Sequence, residues 1–124
     1  MKHIDQYMDI VASTIRHSPV MKDEVAYKIR DSASGAIEGI LYFVDGSRLE
    51  FSEDVYLHQG RPVKPRYRYQ YIKNKQSVFR YDNAPHHPKI PTFPHHKHVG
   101  KEIVAASEPT LGQLLDEIAD LMAQ

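Results

Sequence analysis

Apolar residues recur along this chain first at helical spacing, then at every second position, then at helical spacing again. Ile4, Tyr7, Met8, Val11 and Ile15 stand at i, i+3, i+4, i+7 and i+11, which predicts an amphipathic helix. "HSP" at 17–19 ends it, because a residue before proline is driven out of the helical region. Val25, Tyr27 and Ile29 then alternate with charged residues, and "SASG" at 32–35 reads as a turn. Ile37, Gly39, Leu41 and Phe43 alternate up to "DGS" at 45–47, followed by Leu49 and Phe51, so the stretch predicts strand, Asp-Gly hairpin, strand. In "KPRYRYQY" at 64–71, Tyr67, Tyr69 and Tyr71 share one face of a strand and Arg66, Arg68 and Gln70 the other. "KNKQ" at 73–76 turns the chain into a returning strand, "SVFRYD". The last helix carries Leu111, Leu114, Leu115, Ile118, Leu121 and Met122 as its stripe, with Thr110 and Gln113 spaced as a capping box. The predicted architecture is α+β: an antiparallel sheet of about five strands flanked by N- and C-terminal amphipathic helices, with a Pro/His-rich loop before the last helix.

At 124 residues, 41% hydrophobic and 26% charged, the chain is expected to form one globular domain. It has no cysteine, which excludes disulfides and thiolate metal sites. Neither a signal-peptide-like stretch nor an apolar run near membrane-spanning length is evident, so the expectation is a soluble cytoplasmic protein with no membrane partner. The zero net charge hides a partition. Residues 1–60 balance at −4, residues 61–101 hold ten bases against Asp82 alone, and residues 102–124 hold five acids and no base. A basic block of that density points to a polyanion such as RNA, unless the acidic ends neutralise it in the fold.

"RYDNAPHHPKIPTFPHHKH" at 80–98 holds five of the eight histidines. Pro85, Pro88, Pro91 and Pro94 are three apart, which would align along one edge of an extended polyproline II segment, with Ile90 and Phe93 able to anchor it on the sheet. Imidazoles near their ordinary pKa can both take and give protons. RNA cleavage without a metal needs such a pair, with cations for the phosphate. His86, His87, His95, His96 and His98 are the candidate proton-transfer residues, and Arg66, Arg68, Arg80, Lys89, Lys97 and Tyr69 the candidate RNA contacts. Most tyrosines of the alternating strand suit the core. A divalent metal held by His86, His95, His96 and Asp82 is a second reading; a two-metal centre is disfavoured because the segment has a single acid. A structural reading makes "RYDNAP" an Asx-type turn around which the histidines simply pack.

The words "LYFVDGSRLEFSE", "RYRYQY", "FRYDNAPHHP", "TFPHHKH" and "EPTLGQLLDEI" resemble the TumE family of prokaryotic toxin–antitoxin proteins, from about Val20 onward. The resemblance implies a growth-inhibiting toxin restrained by a helix-turn-helix antitoxin partner. Toxins of this size commonly act on RNA or on translation, which agrees by analogy with the basic block. The leading expectation is therefore a type II toxin that binds and cleaves RNA without a metal. The rivals are a non-catalytic nucleic-acid-binding module and a metal-dependent hydrolase.

Overall fold

In the computed structural model, which describes all of residues 1–124, the elements follow as α1 (Ile4–Arg16), β1 (Lys22–Asp31), β2 (Ser34–Tyr42), β3 (Arg48–His58), β4 (Arg61–Lys73), β5 (Gln76–Asp82), β6 (His96–Val99), β7 (Glu102–Ala105) and α2 (Leu111–Met122). The strands form one antiparallel meander in sequence order, β1 to β7. Both helices and the capping box stand where the periodicity places them. The sheet has seven strands rather than about five. The two extra strands are four residues each, and one of them, "HKHV", is too rich in histidine and lysine to display an apolar alternation.

Register determines which side chains share a face. Leu41, Leu49, Tyr71 and Phe79 lie across from one another on consecutive strands, as do Phe51, Tyr69, Tyr81 and Lys97. These rows join Ile4, Met8, Val11 and Ile15 of α1 and Leu111, Leu114, Leu115 and Ile118 of α2 in a single core, so both helices cover the same face. Each buried aliphatic side chain in that layer is worth about 1.5–3 kcal/mol. Gly35 admits α1 at its closest approach: a Cβ there would meet Met8 Cε at 2.7 Å. The β4–β5 turn places Asn74 and Lys75 at φ 54° and 62°, the left-handed pair that suits a two-residue hairpin.

The covered face also contains a polar knot. The Glu53 carboxylate, 2% exposed, accepts hydrogen bonds from the Tyr7 and Tyr69 hydroxyls. Lys64 Nζ donates to Tyr69 Oη at 2.7 Å and to the Pro109 carbonyl at 2.6 Å, and lies 3.9 Å from Glu53. Burial, reinforced by Glu53, pushes both hydroxyls above their ordinary range, and burial pushes Lys64 down. No buried side-chain nitrogen or oxygen lacks a partner.

Candidate functional site

The uncovered face of β4, β5 and β6 presents Arg66, Arg68, Arg80, Asp82, His96 and His98. Pairing puts Arg68 opposite Asp82, Asp82 opposite His96, and Arg80 opposite His98. His86 and His87 reach the same place from the segment after β5 and complete a pocket of about 270 Å³. That volume lies near the lower end of small-ligand clefts, about 300 Å³, enough for a phosphate and its sugar.

Asp82 organises the pocket. Its Oδ1 accepts the Ala84 N–H at 3.0 Å, the Asx-type turn expected of "RYDNAP", and lies 3.0 Å from His96 Nε2. Its Oδ2 accepts Arg80 Nε at 2.9 Å. Next to it, buried Asn83 spans the gap left by Pro65, accepting the Tyr67 N–H at 3.0 Å and donating to the Pro65 carbonyl at 2.9 Å. His96 is 2% exposed, and its Nδ1 faces the Pro94 carbonyl at 2.9 Å. Each of its nitrogens thus faces an oxygen, Nδ1 that of Pro94 and Nε2 that of Asp82.

His98 is the opposite case. Arg80 Nη2 lies 3.0 Å from His98 Nε2, and a guanidinium can only donate, so Nε2 carries a lone pair. Burial, then the Arg80 charge, holds this imidazole below the ordinary histidine pKa, partly opposed by Asp82. His87 packs edge-on against His96 and His98, with ring centroids 5.0 and 5.8 Å away, and neither of its nitrogens has a protein partner.

Other expected site residues lie elsewhere. His95 is on the covered side, stacked on Tyr67, with Nδ1 2.8 Å from the Tyr67 hydroxyl. Tyr69 is 0% exposed and cannot stack on a base. Lys97 points toward α2, donates to Glu117 at 2.7 Å and lies over the Tyr81 ring. Lys89 is exposed on the segment but does not line the pocket. The metal set His86, His95, His96 and Asp82 is not assembled, because His95 is across the sheet; His87, His96 and His98 cluster instead.

The segment itself is not polyproline II. Bonds from Ile90 N–H to His87 O, Phe93 N–H to Ile90 O and His95 N–H to Thr92 O make it a chain of turns, whereas polyproline II has no internal hydrogen bonds. Phe93 is 44% exposed and anchors nothing. Lys64, Lys73, Arg80 and Lys97 have acid partners within 4.0 Å, whereas Arg66 and Arg68 have none. Neutralisation within the fold is therefore partial: in the pocket it takes Arg80, through Asp82, and leaves Arg66 and Arg68. Toward β1 the same face turns acidic, where Glu24, Glu38 and Glu50 line a larger trough of about 640 Å³ bounded by Arg68.

A lone acid in the basic block was the available signal for Asp82 as organiser. The Asx-type reading of "RYDNAP" marked Asp82 or Asn83 as a backbone-bonding residue, and nothing in the sequence marked the Pro94 carbonyl.

A seven-strand meander with two helices on one face and a histidine–arginine pocket on the other describes a small α+β protein with one charged, concave site. The chain belongs to the TumE toxin family, whose profile, described as "Toxin TumE", matches residues 9–124. No curated protein and no solved structure matches it. No helix is long and apolar enough to cross a membrane.

Proposed function

We propose that the protein is the toxin of a type II toxin–antitoxin pair, held in check by a helix-turn-helix antitoxin, and that it cleaves RNA without a metal in the pocket around Asp82. The observation that carries this reading is the hydrogen bond from Arg80 into His98 Nε2, beside two arginines with no acid partner. Arg66 and Arg68 receive the backbone phosphates, contacts that position the strand without reading sequence. When a phosphate draws Arg80 Nη2 away, the lone pair of His98 Nε2 is released as a base. His98 takes the 2′-hydroxyl proton, the 2′-oxygen bonds to phosphorus, and the 5′-oxygen leaves with a proton from the imidazolium of His87. The products are a 2′,3′-cyclic phosphate and a 5′-hydroxyl. His96 is a positioning residue, holding Asp82 and through it Arg80.

The test is incubation of single-stranded RNA with purified protein in excess chelator, with the ends analysed by mass spectrometry. Cyclic-phosphate ends are expected, and His98→Ala should lower the cleavage rate by about 10²–10⁴ while RNA binding persists. RNA that is bound in a salt-sensitive way yet stays intact would reduce the protein to a binding module. Cleavage unaffected by His98→Ala would remove this histidine from the chemistry.

A further inference from the structure

We infer that the same pocket binds one transition-metal ion of the zinc class through His87, His96, His98 and Asp82, and that this ion switches the pocket off. The inhibitory half rests on the metal-free cleavage reading above; the binding half does not.

The ligating nitrogens of the three histidines all lie within 4.8 Å of one another. A tetrahedral ion with bonds of about 2.0–2.1 Å separates its donors by about 3.3 Å. Two donor pairs already stand close to that spacing: Asp82 Oδ1 is 3.0 Å from His96 Nε2, and Asp82 Oδ2 is 3.5 Å from His98 Nε2. Ligating histidines typically donate their second nitrogen to a carbonyl or carboxylate, which fixes the ring. His96 does so through Nδ1 to Pro94, which leaves Nε2 to bind the ion. His98 Nε2 lies 3.5 Å from the same carboxylate, and its lone pair is held by Arg80 until the ion takes it. His87 has no competing partner and sits on the turn segment, where a small swing closes the remaining distance. Imidazole and carboxylate donors without thiolate suit zinc, cobalt, nickel or copper rather than magnesium.

Two of the four ligands, His98 and His87, are the groups that cleavage uses as base and acid. An ion on His98 Nε2 removes the base, an ion on His87 removes the acid, and Arg80 is displaced from His98 while keeping its Nε bond to Asp82. Occupancy and turnover are therefore mutually exclusive.

The experiment uses metal-stripped full-length protein. Calorimetric titration with Zn²⁺ should give one ion per chain, and Co²⁺ should develop the visible absorption of a tetrahedral site. His87→Ala and His98→Ala should each weaken zinc at least tenfold, while His58→Ala, at an exposed histidine remote from the pocket, should not. Circular dichroism on His87→Ala checks that the variant is folded. With RNA present, one equivalent of Zn²⁺ should stop cleavage and chelator should restore it. No stoichiometric binding, or binding unchanged in the His87/His98 double variant, overturns the site. Cleavage that requires the ion overturns both the inhibitory role and the metal-free reading. Zinc binding by a protein that never cuts RNA upholds the site and defeats the cleavage reading alone.

Discussion

The two sides of β4 come from one six-residue alternation, yet they obey different rules. Tyr67, Tyr69 and Tyr71 face the helices, where each hydroxyl has a protein partner and the Glu53–Lys64 pair is sealed from water. Arg66 and Arg68 face outward, and their charges meet no acid. The covered side therefore carries stability, and the open side holds two cations that the fold does not neutralise. A folded protein can remove charge from the second side cheaply but not from the first.

The sharpest way to break this contrast is Glu53→Ala. It strands Lys64 in the interior and leaves two buried hydroxyls without their acceptor. The expected loss is about 3–5 kcal/mol by denaturant unfolding, the cost of deleting one partner of a buried pair. A loss below about 1 kcal/mol would mean that the knot is open to water. Next in size is Arg66→Ala with Arg68→Ala. Stability should stay within about 0.5 kcal/mol, the usual range for surface changes. RNA affinity should fall, and the slope of log affinity against log salt should drop by about 1.4, roughly 0.7 per phosphate contact on a single strand. An unchanged slope would place the RNA elsewhere.

The smallest effect tests the rim between the two sides. Asp45 accepts from the Ser47 hydroxyl and N–H, with Lys73 nearby, and its carboxyl is held down to about 2. A depressed carboxyl stabilises the fold above its unfolded pKa, and that contribution disappears as pH falls from about 4 toward about 2. Asp45→Asn should therefore lower the unfolding free energy slightly at pH 6, by no more than about 1 kcal/mol for so exposed a pair, and the gap to the parent should close near pH 2.

Much of this arrangement was legible because it is periodic. Both helices, β2 to β5 and the tyrosine–arginine division follow from spacing, since burial enforces the period, whereas β1 alternates although Tyr27 and Ile29 are exposed. Which imidazoles meet was not legible. His96 and His98 share one face of β6 while His95, just before the strand, goes to the other, and a period-three reading of the prolines separates His96 from His98. The tyrosine face was assigned to the core for the right reason, whereas Tyr69 as an RNA contact and Lys97 as a phosphate contact both fail on burial and pairing. β6 and β7 escaped because short strands of polar residues are set by their neighbours' hydrogen bonds rather than by their own composition.

The meander order has a temporal consequence. A ribosome that has delivered everything up to Lys89 has already made Arg66, Arg68, Arg80 and Asp82, but not the strand that supplies His96 and His98. His96 and His98 thus leave the exit tunnel after the arginines and Asp82, and a message broken at Lys89 yields a chain that has those charges without the imidazoles of β6.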